Sequence, residues 1–416
     1  MHPAIPARYQ SSELARLAIQ GACLPVGVPL LSDPRRMLAS VKITADAARP
    51  APWRDDWGEV VLRLLASGVV DLADHIASGE PVRLPYPVSL QRALDRLSVM
   101  CIAAGDQPPR SVADLLRWCQ RPLGEWAVPL AVDEADDATC LIVGGQPSRE
   151  CLEWALAAGD VEGEFRERRV VYEALDVCRA NDRPDVYVEF RELLISKPAM
   201  SELELATELA RPGLSLVASQ VQQAYEPAPP EALASGQAVA CGRCGNLLLP
   251  GFQEELQCAE PDCTKATLPG RTFPAAEGVR WAGREIRTWI CAPGRAELRI
   301  RDRLAADGVD AGLWPDFDGA DLEITFPDGK RWWADVKTWA SPVQLALRLK
   351  QRPFLPADDV ERAFIVVGKD QVAGRREYMQ TLRNRNPALK SGPVRAVTES
   401  AFVSMVLRRQ KGDYGA

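Results

Sequence analysis

The stretch Asp321-Leu-Glu-Ile-Thr-Phe-Pro-Asp-Gly-Lys-Arg-Trp-Trp-Ala-Asp-Val-Lys337 decides how the C-terminal part of this 416-residue chain folds. Two short strands, Asp321–Phe326 and Arg331–Thr338, flank the turn Pro327-Asp328-Gly329. Side chains alternate across a strand, so Leu322, Ile324 and Phe326 share one face, as do Trp332, Ala334 and Val336. Pro-Asp-Gly suits a three-residue loop, in which proline presets a type I turn and glycine takes the left-handed position. Phe326 then pairs with Lys330, and counting back sets Asp321 across from Asp335. A loop of even length would place Asp321 against the apolar face, which register rules disfavour. Periodicity therefore predicts two carboxylates and the Lys337 ammonium on one face. Carboxylates about 5 Å apart repel unless a cation lies between them. Hard oxygen ligands of this kind suit Mg²⁺ or Mn²⁺, with the Val336 carbonyl as a further ligand. Such an ion lowers the pKa of bound water, and Lys337 can orient that water and stabilise developing negative charge. The competing reading is an exposed hairpin carrying a surface ion pair.

Around this hairpin, helix and strand alternate. A helix Arg295–Ala306 leads into an extended Leu313–Phe317, and after the hairpin come a helix Pro342–Lys350 and a strand Ala363–Val367. A polar helix Arg375–Asn384 and a last strand near Val394–Val397 follow. The order is α-β-β-β-α-β, a compact α/β core.

Upstream, Cys241-Gly-Arg-Cys244 and Cys258-Ala-Glu-Pro-Asp-Cys263 supply four thiols about a dozen residues apart. Four thiolates are a set that structural Zn²⁺ takes, leaving no position for water. Gly242 and Gly245 let the first knuckle turn tightly. The alternatives are a redox Cys-x2-Cys pair or free thiols, and the second pair argues against a redox dithiol. The remaining seven cysteines are scattered through apolar helical contexts and read as small core residues.

Residues 1–225 read as mostly helical, with apolar residues at helical intervals in Ser11–Ala22, Trp57–Ser67, Leu90–Ala103, Val112–Cys119, Ser148–Ala157, Phe165–Arg179, Pro184–Ile195, Ser201–Ala210 and Leu214–Ala224. The Pro/Ala-rich segment 226–236 reads as a linker, 237–290 as a zinc ribbon and 291–416 as the catalytic domain. The fold class expected is multidomain, an α region joined to an α/β region. Composition is that of a globular protein, 47% hydrophobic and 26% charged, which excludes disordered and fibrous classes. No apolar run is long enough to span a membrane and the N-terminus lacks a signal-peptide pattern, so the expectation is a cytoplasmic protein with no membrane partner. With only 2 histidines, a His-activated nucleophile would depend on His75 alone. The formal charge of −7 divides into about +7 from Lys265 onward and about −14 before it. A polyanion partner for the C-terminal part fits that division, as does an uneven surface with no partner.

Asp321, a strand and turn, then Asp335-Val336-Lys337 resembles the core of the PD-(D/E)xK nuclease superfamily, to which restriction endonucleases belong. The resemblance implies that Asp321 and Asp335 bind a divalent metal and that Lys337 assists phosphodiester hydrolysis. Glu297 matches the glutamate that often joins such sites from the preceding helix, although an i,i+4 pair with Arg301 would also account for it. The literal Pro-Asp is Pro315-Asp316, and Asp318 follows it; Asp321 is preferred because it heads the strand that pairs with Asp335. Gln344, Lys350 and Trp339 are candidate nucleic-acid contacts, with Trp333 on the same polar face. A helical N-terminal region, a four-cysteine ribbon, Pro293-Gly294-Arg295-Ala296-Glu297-Leu298, Leu313-Trp314-Pro315 and Trp333-Ala-Asp-Val-Lys-Thr-Trp339 together resemble the restriction-endonuclease-like component of bacterial pPIWI-RE islands. That likeness implies a Mg²⁺-dependent deoxyribonuclease acting against invading DNA with a Piwi/Argonaute-like protein and a DinG-type helicase. The alternative is a catalytically silent nuclease fold that binds DNA or serves in assembly.

Overall fold

Helix α1 (Trp57–Ala77) places Val61, Leu62, Leu65, Val69 and Leu72 along one stripe at helical spacing. It buries that stripe against α2 (Val88–Ala104), α3 (Val112–Cys119) and α4 (Arg149–Ala157), forming a core with Leu97, Leu116 and Trp154. Ser111 caps α3 by accepting the Asp114 amide. The computed structural model describes residues 57–412 except 78–81, 83, 131, 133, 134, 136, 158–160, 234, 251–254, 261, 262, 264–267 and 374. The expected helix Ser11–Ala22 lies outside the described residues.

Helices α5 (Val161–Ala180), α6 (Pro184–Ser196), α7 (Glu202–Leu209) and α8 (Ala218–Ala224) follow, with α7 opened by a Ser201/Glu204 capping box. Helix α6 buries Val186, Tyr187, Phe190, Arg191, Leu193, Leu194 and Ile195, more than one face of a helix. A helix apolar over so much of its circumference needs cover on several sides. It obtains that cover from the C-terminal domain: Phe190 and Leu194 share a core with Ile300, Leu322, Trp332 and Phe364. The helical region is thus packed into the α/β region rather than tethered to it.

The segment 226–236, expected as a linker, is likewise folded in. Strand β2 (Tyr225–Pro227) and β1 (Ala199–Ser201) flank β7 (Val279–Ala282) in a three-stranded sheet. Ala228 and Ala232 are buried beside Phe273 and Trp281. Proline is tolerated at the edge of a sheet and alanine is small enough for close packing, so a composition that reads as a spacer fits here. The intervening ribbon consists of β3 (Gln237–Cys241) paired with β6 (Pro269–Pro274), and β4 (Leu248–Pro250) paired with β5 (Leu256–Cys258).

The α/β region begins with α9 (Ala292–Ala306) and continues through β8 (Asp310–Leu313), β9 (Leu322–Thr325), β10 (Arg331–Lys337), α10 (Pro342–Gln351), β11 (Arg362–Val367), α11 (Tyr378–Arg385), β12 (Val394–Thr398) and α12 (Glu399–Gln410). Its sheet has the order β8-β9-β10-β11-β12, antiparallel through β10 and parallel beyond it. One face carries Leu322, Trp332 and Phe364 in the core shared with α6, α9 and Phe402 of α12. On the other, Ile365, Val367 and Ala396 pack against Leu345, Leu349 and Leu382 from α10 and α11.

Leu313–Phe317 is not the extended segment expected. The strand ends at Leu313, and Trp314, Asp316, Phe317 and Asp318 take left-handed backbone conformations with φ of +46°, +51°, +55° and +74°. Each costs a non-glycine residue about 1–2 kcal/mol. Pro315 cannot donate to a ladder and the Trp314 amide instead donates to the Asp321 carbonyl (3.1 Å), closing the connection between β8 and β9.

Candidate active site and four-cysteine site

The hairpin has the three-residue loop. Leu322 pairs with Ala334 and Thr325 with Arg331, the Phe326 amide donates to the Lys330 carbonyl (2.9 Å), and Gly329 has φ +78°. The regular ladder ends at the Leu322–Ala334 pair; just before it, the Asp321 amide also donates to the Ala334 carbonyl (3.1 Å), so Asp321 does not continue the register to the expected direct pair with Asp335. Leu322, Ile324, Phe326, Trp332, Ala334 and Val336 are all buried in one core. Asp335 and Lys337 pair with Ile365 and Val367, whose side chains belong to the opposite face of the sheet.

On that face the Lys337 ammonium is bonded to Asp335 Oδ1. The Val336 amide donates to Asp321 Oδ2 (2.6 Å), which fixes the carboxylate's direction. Burial pushes the Asp321 carboxyl well above the usual carboxylate range; Glu297 and Asp335 push the same way, and Lys337 opposes them. Two neighbouring carboxylates are oxygen donors of the kind a hard divalent ion takes.

Glu297, on α9, is 2% exposed and accepts the Trp314 indole N–H at 2.6 Å. Burial pushes its carboxyl up, opposed by the Arg191 guanidinium and the indole hydrogen bond. Its expected i,i+4 partner, Arg301, instead pairs with Glu192 (2.7 Å) and Asp302 (2.6 Å). Arg191 of α6 lies 3.4 Å from Glu297 Oε2, is bonded to Asp318 and stacks over Trp314 with 4.4 Å from guanidinium carbon to ring centre. Sequence reasoning missed Arg191, although the signal was there: it is a charge in the otherwise apolar Val186, Tyr187, Phe190, Leu194 stripe.

Two further residues brace the end of β10 from α4. Arg149 donates to the Thr288 carbonyl (2.8 Å) and to Thr338 Oγ1 (3.3 Å). Glu153 accepts the Ala340 and Ser341 amides (2.7 and 3.0 Å) at the start of α10. Burial pushes the Glu153 carboxyl up to about 8, against the opposing pull of Arg149 and those two amides.

The candidate nucleic-acid contacts separate. Gln344 is 2% exposed in the first turn of α10, so it is no surface contact, and its Nε2 has no hydrogen-bond partner. Lys350 is exposed at the other end of that helix, about 9 Å further along the axis. Trp339 is half-buried against the core formed by α10 and α11. Trp333, expected on an accessible polar face, is buried, and its indole donates to Glu323 (2.7 Å) across the hairpin. A bulky ring on a half-polar face buries itself wherever a carboxylate can take its N–H.

Cys241, Cys244, Cys258 and Cys263 are buried, with their sulfurs within 4.8 Å of one another. Among the described residues they are the one set of three or more potential metal ligands gathered so closely. Gly245 takes the left-handed conformation (φ +76°) after the first knuckle, the Cys241 amide donates to the Asn246 carbonyl (2.7 Å), and the Glu260 amide donates to Cys258 Sγ (3.4 Å). Hydrogen bonds from Cys244 and Cys258 hold the Cys263 thiol below the usual range. Four converging sulfurs with amide support fit a tetrahedral structural metal. Of the scattered cysteines, Cys101, Cys119, Cys151, Cys178 and Cys291 are buried, as expected of core residues, and Cys140 is half-buried; Cys23 lies outside the described residues.

The C-terminal domain is thus a five-stranded mixed sheet with an acid-bearing hairpin, flanked by helices. Comparison with protein families gives its class as restriction-endonuclease-like: residues 294–413 match the family described as the REase associating with pPIWI_RE, and residues 61–201 match the pPIWI_RE three-gene island domain Y. The chain belongs with the pPIWI-RE island components that carry a restriction-endonuclease-like domain. No curated protein and no solved structure matches it. Among the described residues, no helix is long and apolar enough to cross a membrane.

Proposed function

We propose that this chain is a Mg²⁺- or Mn²⁺-dependent deoxyribonuclease of the PD-(D/E)xK type, working in the cytoplasm with the Piwi/Argonaute-like protein and DinG-type helicase of its island against invading DNA. The observation that supports the reading is that Asp321, which accepts the Val336 amide, lies within electrostatic reach of Asp335 and of the Lys337 ammonium bonded to Asp335. Asp321 and Asp335 would hold the ion, with the Val336 carbonyl as a further oxygen; when bound, it supplies water of lowered pKa and offsets phosphoryl charge. The Val336 amide keeps Asp321 Oδ2 aimed. Lys337, beside Asp335, offers positive charge to the phosphate and a donor to the attacking water. Glu297 adds a buried acid to the cluster. Exposed Lys350 and half-buried Trp339 remain candidates for DNA contact, within a C-terminal part of net charge about +7. In this reading the four cysteines hold structural Zn²⁺ that shapes the ribbon.

The test is plasmid DNA incubated with the purified chain and Mg²⁺ or Mn²⁺, with and without its island partners. Nicking or linearisation that EDTA stops is expected. Metal-independent binding with no cleavage, even with the partners present, would instead make it a silent assembly subunit.

A further inference from the structure

Arg191 is contributed by a helix that lies before the ribbon, 106 residues from Glu297 in sequence, yet its guanidinium reaches the acidic cluster. It is 5% exposed and meets Asp318, Glu297 (3.4 Å), the face of Trp314 (4.4 Å) and, within its own helix, the Tyr187 ring (6.0 Å). Trp314 and Asp318 bracket the left-handed turn before β9, and the Trp314 indole is itself bonded to Glu297. One guanidinium therefore ties together α9, the strained turn and α6. The close approach that makes this possible lies one turn earlier on α9, at Gly294. A methyl group there would come within 2.3 Å of Ile195 Cδ1 and 2.6 Å of Cγ1, so glycine lets α6 rest directly on the α9 backbone. Arg301 repeats the connection on the next turn by pairing with Glu192 of α6 (2.7 Å).

We infer that α6 is part of the active centre, and that Arg191 is a positioning residue holding Glu297 and the 314–318 turn in the geometry the acidic site requires. The inference rests on the nuclease reading and deepens it. Arg191 makes its contacts with Glu297, Asp318 and Trp314, so it acts on the site through the groups it holds. A planar fork that bridges two carboxylates while stacking on an indole suits arginine and not lysine. Substitution of residues that orient active-site groups typically costs about 10- to 100-fold in activity.

The experiment is a double-mutant cycle in the full-length chain with Arg191→Met, Glu297→Gln and their combination, reading Mg²⁺-dependent plasmid cleavage and denaturant unfolding. Arg191→Met is expected to lower kcat about 10- to 100-fold with KM for DNA little changed, and Arg191→Lys to recover only part of the loss. The double variant is expected to be no slower than the worse single variant, and its unfolding midpoint to be non-additive. Wild-type cleavage by Arg191→Met, losses that multiply, or additive unfolding would overturn the inference while leaving the nuclease reading intact. A wild-type chain that cuts no DNA, even with its island partners, would overturn that reading itself, and this inference with it.

Discussion

The four-cysteine site and the acidic residues at the hairpin are both clusters of groups that can carry negative charge, and they are built in opposite ways. The sulfurs converge within 4.8 Å, all four residues are buried, the Cys241 amide closes the first knuckle on the Asn246 carbonyl, and the Glu260 amide donates to Cys258 Sγ in the second pair. The acids at and beside the hairpin are held by cations instead: Lys337 on Asp335, and Arg191 on Asp318 of the preceding turn and Glu297 of α9. A closed set of four ligands has no place for substrate, whereas under the proposed nuclease function the acids would leave part of an ion's coordination to water and phosphate. The first arrangement suits structure and the second suits chemistry.

Substitutions should separate the two sites. The largest effect belongs to the hairpin: Lys337→Ala should lose on the order of 100- to 1000-fold in cleavage with little change in melting temperature. Cleavage within a few-fold of wild type would collapse the distinction. Cys258→Ser should do the reverse. Metal analysis should show zinc lost from the variant, and melting should fall because structural-zinc binding, on the order of 10 kcal/mol, is folding energy. A variant that keeps its metal and its melting temperature would show that the thiols are spectators. A smaller effect is expected at Gly329, where alanine in a left-handed position should cost about 1 kcal/mol by denaturant titration and lower activity only through stability.

The smallest effect concerns Glu153, which braces the segment after β10. Its carboxyl is raised from an ordinary 4.5 to about 8, so the folded state holds a proton that the unfolded state releases across that window. Stability contributed by the protonated form is present below pH 4.5 and lost as pH rises toward 8. Glu153→Gln should flatten that part of the stability profile in denaturant titrations at several pH values. An unchanged slope would mean that Glu153 is ionised throughout.

The hairpin was legible because its information is local. Alternation and a Pro-Asp-Gly loop set the register from Phe326 opposite Lys330 back to Leu322 opposite Ala334; the count does not carry one step further to Asp321, whose amide also bonds to the Ala334 carbonyl. The cysteine cluster was legible for a similar reason, since ligand spacing reports a knuckle directly. What stayed hidden depends on long-range packing. Arg191 and Glu153 look like ordinary helical charges until α6 and α4 are seated on the α/β region. The supposed linker reads as a spacer because proline and alanine carry no periodicity, yet it supplies an edge strand and two core alanines. Trp333 lies on the alternation's polar side, and only the cross-strand Glu323 shows why it is buried.

The central claim is that the hairpin gathers a metal-dependent hydrolytic site, and the most direct measurement is plasmid cleavage against Mg²⁺ concentration for wild type and Asp335→Ala side by side. Metal-dependent cutting by the wild type and none by the variant, at matched folding, is the predicted result. Equal cutting by both proteins would contradict it.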